Sequence, residues 1–232
     1  MADSITTFRA RVLEKVPNVS TDELSNAQTD ANVQQAVSQY SRLRPLEKVD
    51  EISGDGTYEY ALPSDWVSDF SIFRRIEYPA GTSQDPNDDV IEPEKYCVYK
   101  TASTSVLRFF ETTPTSGHTI RRTYTIRHSV TADASTVFAN DFNAVCSLGA
   151  AFCCFDLARR YAQDTESLLA ADSVDRRGKS GKYLEIGRGL LKEWATHMGL
   201  GEETVTAADG IKDLDLDLDG MGDFITHPPD KR

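Results

Sequence analysis

Asp215, Asp217, Asp219 and Gly220 have the spacing that opens a calcium-binding EF-hand loop, in which carboxylates at alternate positions converge on one cation. The closing position falls on Thr226, which cannot supply the bidentate carboxylate, and neither flank is patterned as a helix. Arg177, Gly178, Lys179 and Ser180 match the end of a phosphate-cradling P-loop, but Ser173 stands where its first glycine belongs and no strand pattern precedes it. His118, His128, His197 and His227 contain no pair at metal-ligand spacing, and no GxSxG sequence surrounds a serine. Each histidine is therefore expected to be a solvated side chain. Asp65, Asp69 and Glu77 are the nearest approach to an acid–base set, yet exposed carboxylates are common in a chain of net charge −12. The expectation is a non-enzymatic protein with no metal and no cofactor.

Cys146, Cys153 and Cys154 share one apolar helical stretch, and Cys97 lies alone in a strand pattern. Residues seven apart on a helix are separated by about 10 Å along its axis, too far for a disulfide, so these are read as core thiols. The basic residues come in clusters. Arg74 with Arg75 and Arg121 with Arg122 fall on strand patterns, where adjacent side chains point to opposite faces and make no common patch. Arg159, Arg160, Arg176, Lys179 and Lys182 are expected to form a basic surface between the last two helices, solvated, docking an acidic partner or touching the DNA backbone.

These groups must be positioned by a helical framework. Ile5, Phe8, Val12, Leu13 and Val16 fall on one helical face that Pro17 ends, and Leu24, Ala27, Val33, Ala36, Val37 and Tyr40 write a second stripe ending before Pro45. Ser20 and Glu23 have capping-box spacing before it. From Thr57 the period changes to two: Tyr58 and Tyr60, 72–78, 96–99, 106–110 and 120–127 read as strands separated by glycine and proline turns. Helical spacing returns near Thr136 and runs to Tyr161 with most of its circumference apolar. A polar connector from Asp172 to Gly181 leads to a last helix through Tyr183, Ile186, Leu190, Trp194 and Met198, capped by Gly199. Gly187 and Gly189 inside it each cost about 1 kcal/mol relative to alanine, which predicts close packing there against another backbone.

The fold class is thus α+β. A bundle of about four helices is interrupted by an antiparallel sandwich or barrel-like insert of five to seven strands, and an extended C-terminal arm follows. The divisions are N-terminal helices over 1–50, the β-rich insert over 51–130, C-terminal helices over 131–199 and an acidic arm over 200–232. From Gly199 onward nine acidic and three basic residues give −6, half the net charge. Leu214, Leu216 and Leu218 alternate with aspartates, a pattern suited to a strand added to a partner's sheet edge. The acidic balance argues against tight nucleic-acid binding, because neutralising phosphates requires a basic face. The longest apolar run, 148–155, is shorter than a membrane span needs, and the N-terminus has no secretory pattern, so a cytoplasmic site of synthesis is expected.

The order of elements, with TYEYALPSDWVSDF (57–70) and ADSVDRRGKSGKYLEIGRGLLKEW (171–194), resembles the head–tail adaptor, or connector, proteins of tailed double-stranded-DNA bacteriophages. Leu62, Pro63, Asp65, Trp66, Asp172, Ser173, Arg177 and Gly178 carry the likeness, which spans Ile5 to about Met198. The resemblance implies a structural virion protein at the head–tail interface, made in the host cytoplasm. Such proteins form a homo-oligomeric ring, usually of about twelve copies, under the portal protein, and offer a surface to a downstream connector, stopper or tail protein. Genomic DNA passes through the channel without sequence-specific binding, and no membrane is involved. The C-terminal arm is implied as the portal-binding element, through Asp213, Leu214, Asp215, Leu216, Asp217, Leu218, Asp219 and Phe224. The alternatives are a tail-completion or baseplate component and, from a different class, a carbohydrate-binding β module or an enzyme.

Overall fold

The computed structural model of the chain describes residues 3–17, 19–20, 22–81, 89–101, 104–163 and 170–200, with only the backbone for 170–177. The elements are α1 (Ile5–Lys15), α2 (Asn26–Leu43), β1 (Leu46–Ser53), β2 (Glu59–Ala61), β3 (Phe73–Glu77), β4 (Tyr96–Lys100), β5 (Ser105–Phe109), β6 (Thr119–Ile126), α3 (Phe142–Gln163) and α4 (Ala170–His197). The fold is α+β, four helices with two antiparallel three-stranded sheets between α2 and α3.

α3 is the axis of the helical part. Ala139–Gln163 is by length and composition apolar enough to cross a membrane, and 72% of its most apolar window is buried against the other helices. Phe8 and Val12 of α1, Val33, Val37 and Tyr40 of α2, and Tyr183 and Trp194 of α4 share its core. Burial of apolar surface at roughly 25 cal/mol per Å² makes this contact the main source of stability for the helices. Two polar links fix their relative placement. Arg9 Nε donates to Asp30 Oδ1 at 2.7 Å between α1 and α2, and Asn32 Nδ2 donates to Asp156 at 3.0 Å between α2 and α3.

The capping box lies five residues beyond the expected place. Ser25 caps α2 by accepting from Gln28 N, and the Gln28 side chain accepts from Ser25 N. Ser20 N does donate to Glu23 Oε2 at 3.0 Å, but this closes an isolated turn before the helix. Asp172–Gly181, expected as a connector, is the first part of α4. Ser180 Oγ donates to Ala158 O at 2.8 Å and the Tyr161 and Tyr183 rings stack at 5.7 Å, so packing on α3 carries the helix through two unfavourable glycines. At Gly187 a Cβ would meet Phe155 Cε1 at 2.6 Å, so close packing holds there, against side chains rather than backbone. Among the described residues nothing lies within 4 Å of one at Gly189, so the expected packing is not found there. Gly199, at φ +73°, ends α4 in a Schellman motif, with Leu200 N donating to Ala195 O and Gly199 N to Thr196 O.

The β part begins at Leu46 rather than after residue 50. One sheet has the order β1-β6-β3 and the other β2-β5-β4, and they share a core of Tyr60, Ile76, Ile91, Leu107, Phe109 and Ile120. β1, with the sequence LEKVDEIS, was not among the expected strands. Lys48 and Asp50 lie opposite the buried Tyr124 and Arg122 but are polar: Lys48 stays exposed and pairs with Asp65 at the surface, and the half-buried Asp50 pairs with the buried Arg122. Arg121 points outward and bridges Glu51 and Glu77 at 2.7 and 2.9 Å.

Gly54, just past β1, is a place where backbone meets backbone. An added Cβ would stand 2.5 Å from Thr115 O and 2.6 Å from Pro114 O. Gly54→Ala must displace the 114–115 turn, which also accepts from Gly56 N and the Tyr60 hydroxyl. It should cost about 2–3 kcal/mol, read as a lower urea midpoint with an unchanged m-value.

Candidate interaction surfaces

Three polar or apolar constellations stand out, and each draws on several elements. The first is buried. Asp141, in the 3₁₀ turn that leads into α3, is 1% exposed and accepts from the Tyr40 hydroxyl at 2.7 Å, Arg44 Nη1 at 2.8 and 2.9 Å, and His197 Nε2 at 2.9 Å. It thereby ties the ends of α2 and α4 to the start of α3. Burial alone would raise its carboxyl, but the hydrogen bonds from Tyr40, His197 and Arg44 outweigh it and hold the group below its ordinary range. His128 lies alongside and is buried, contrary to the expectation of a solvated ring. Its Nε2 is 2.9 Å from Arg44 O and its Nδ1 is 2.7 Å from Thr136 O and 3.2 Å from Thr136 Oγ1. Desolvation pushes this imidazole below its ordinary value, the Thr136 and Arg44 carbonyls opposing. The ring is neutral at pH 7 and so can donate to only one of the two carbonyls; with Nε2–H on Arg44 O, Nδ1 can accept only from the Thr136 hydroxyl.

The second constellation includes the basic residues. Arg160 Nη1 donates to the carbonyls of Asp22 and Glu23 at 3.3 and 2.8 Å, and so closes the turn before α2. Arg159 is exposed and lies 3.9 Å from Asp156. Lys179 sits 5.7 Å from the centre of the Tyr161 ring and with Lys182 lines a cavity of about 150 Å³ that also reaches Glu23 and Pro17. The Tyr161 hydroxyl donates to Glu23, whose carboxyl is held low by the Ser20 N–H and by Tyr161. The surface is therefore mixed rather than uniformly basic. Asp172, Ser173, Arg176 and Arg177 lie on the first turns of α4, Arg176 beside the described part of that surface in sequence, and their side chains are outside the described residues; Gly178 follows with open space around it.

The third is an open groove between β3 and β4, its apolar side chains interleaved with polar ones such as Ser68, Ser71 and Ser105. It has a volume of about 380 Å³, with Trp66, Ile72 and Phe73 on one wall and Tyr96, Val98 and Lys100 on the other. Ile72 and Val98 are 50% and 43% exposed. A second groove, lined by Leu43, Pro45, Phe70 and Arg74 among others, shares Ile72 and Asp69 with it and runs to the end of α2.

The LPSDW stretch builds one wall. Pro63 is buried and Leu62 partly so, against the sheet core. Asp65 accepts from Lys48 and from the Tyr124 hydroxyl at 2.6 Å, and Trp66 packs at 4.6 Å from Phe73. The residues singled out for family likeness here thus anchor a loop to the β1-β6-β3 sheet. The groove itself was missed in sequence, although Ile72 and Val98 are apolar at positions the strand alternation leaves half-covered. Asp213 to Asp219 and Phe224, assigned to the arm, lie outside the described residues, as do the calcium-like aspartates and His227. His118 is exposed in a turn, at 6.2 Å from Tyr78. Cys146, Cys153 and Cys154 are buried free thiols, pushed by burial up to about 12, 11 and 12, and Cys97 is half-buried on β4.

No group of three metal-ligating side chains converges among the described residues. No protein-family model matches the chain, and a search of curated proteins finds no match.

Proposed function

We propose that the chain is a head–tail adaptor, a structural subunit of a ring that joins a phage portal to the tail or the next connector. The observation that carries this reading is the order of elements: two helices, a two-sheet insert, a long core helix and a last helix. In this reading the helices supply a heterologous interface that closes a ring, and the insert offers its exposed Tyr58, Val98, Tyr99 and Phe110 to a downstream protein. A net charge of −12 suits a channel through which DNA slides without being gripped. The 213–224 segment is the element assigned to portal contact.

The test is to mix the purified chain with portal rings from the same virus and image the product. A second ring stacked coaxially on the portal, lost on truncation after Gly199, is the expected result. A monodisperse monomer that leaves portal rings bare would overturn the reading.

A further inference from the structure

We propose that the groove between β3 and β4 is a strand-acceptor site, and that its occupant in the free protein is the chain's own Asp213–Asp219 segment. The site has two parts that fit one kind of ligand. Among the described residues β4 pairs with β5 alone, so alternate N–H and C=O groups along Tyr96–Lys100 face outward without a neighbouring strand. The same strand turns Tyr96, Val98 and Lys100 into the groove, where Trp66, Ile72 and Phe73 face them. A ligand that completes both must be extended, with apolar side chains at every second position and polar ones between.

Leu214, Leu216 and Leu218, separated by Asp215 and Asp217, have that alternation. Placed beside β4, the three leucines fall on the Val98 side and fill the groove, while the aspartates point to solvent. Lys100 lines the groove, and Arg42 and Arg74 line its continuation, with Asp69 the acidic exception, so the surroundings favour an acidic strand.

The chain's path makes the intramolecular arrangement accessible. His197 binds Asp141, which binds Arg44, and Leu43 beside Arg44 lines the second groove, which shares Ile72 with the first. α4 therefore ends at the end of the bundle that carries the groove. The twelve residues 201–212 span at most about 40 Å when extended, enough to cross the junction. The aspartate-leucine segment is then covered in the free chain and becomes available only when it is drawn away. This follows from the groove and the sequence, and does not depend on the adaptor reading.

Hydrogen exchange on the full-length chain tests it, with Leu214→Lys/Leu216→Lys/Leu218→Lys as the comparison. The substitutions leave the described helices and sheets unchanged in sequence, so both proteins should have nearly the same far-UV circular dichroism. The expected result is that amides of Tyr96–Lys100 exchange about tenfold faster in the variant, with the α3 amides unchanged. Val98→Asp in the full chain should release the 213–219 amides to the same extent. Equal exchange at β4 in wild type and variant would overturn the proposal. Protection that disappears on dilution would also overturn it, by showing that a second copy supplies the strand. If β4 is protected but portal rings are not bound, the adaptor reading fails and the acceptor site stands.

Discussion

Asp141→Asn should destabilise the protein by about 3 kcal/mol at neutral pH, lowering the melting temperature by about 6–12 °C. The substitution keeps the side-chain shape, so no cavity confuses the result. It replaces an acceptor-only carboxylate with a group whose amide nitrogen must face the donors of Arg44 or His197. Tyr40, fully buried, would keep or lose its acceptor according to how the amide turns. Either orientation leaves at least one donor opposed, and an unmade buried hydrogen bond costs about 1–3 kcal/mol.

The pH dependence separates this cluster from ordinary packing. Asp141 binds its proton less readily in the folded state than in the unfolded chain, so its contribution is present above the ordinary carboxyl value of 3.8 and is lost as pH falls through the lower folded value. His128 acts in the same direction at higher pH. Its folded-state value lies below the ordinary 6.5, so the neutral buried ring stabilises above that value and the contribution fades as the pH drops and the ring must be protonated. A wild-type stability profile should therefore decline in two stages on acidification. In Asp141→Asn the lower stage should be shallower, because Glu23 and Asp65 keep their share of it, while the upper remains. Denaturant titrations across that range measure both, and a variant profile parallel to wild type below pH 4 would remove Asp141 from the account.

α1 and α3 were readable from apolar spacing because each presents one unbroken stripe to a core, and β6 was readable because Ile120, Tyr124 and Ile126 alternate with polar residues. β1 was not. Lys48 and Asp50 lie opposite the buried Tyr124 and Arg122, where a pattern search requires apolar residues, and their partners come from the 63–66 loop and from β6, far away in sequence. The connector was misread because Gly178 and Gly181 count against a helix locally, whereas contact with α3 decides in its favour. The Asp141 cluster was invisible for a related reason. It gathers one residue from each of three helix ends and one from a cap, none unusual alone. The groove depends on bringing 66–73 against Tyr96–Ser105, which no local pattern encodes. Only its candidate ligand, the Asp-Leu alternation, could be read directly.

Arg122→Met should cost about 3–5 kcal/mol and loosen the β insert more than the helices. In a sequence scan this arginine is one half of a basic pair, but it is 2% exposed and sits inside the sandwich. Its Nη2 donates to Asp50 and its Nη1 to Ala61 O at 2.6 Å, linking β1 of one sheet to β2 of the other. Nε has no hydrogen-bond partner among the described residues, so there the guanidinium is imperfectly satisfied. Methionine would retain much of the apolar stem, which isolates the loss of charge and donors from loss of volume. What remains is an Asp50 carboxylate, two-thirds covered, with no cation, and a carbonyl at the β2 end with no donor. Because an unpaired carboxylate is the larger cost, Asp50→Asn combined with Arg122→Met should recover part of the stability that Arg122→Met loses. A double-mutant cycle on urea midpoints measures that recovery. If the double variant were no more stable than Arg122→Met, the arginine would hold the sheets together through Ala61 alone and Asp50 would be a bystander.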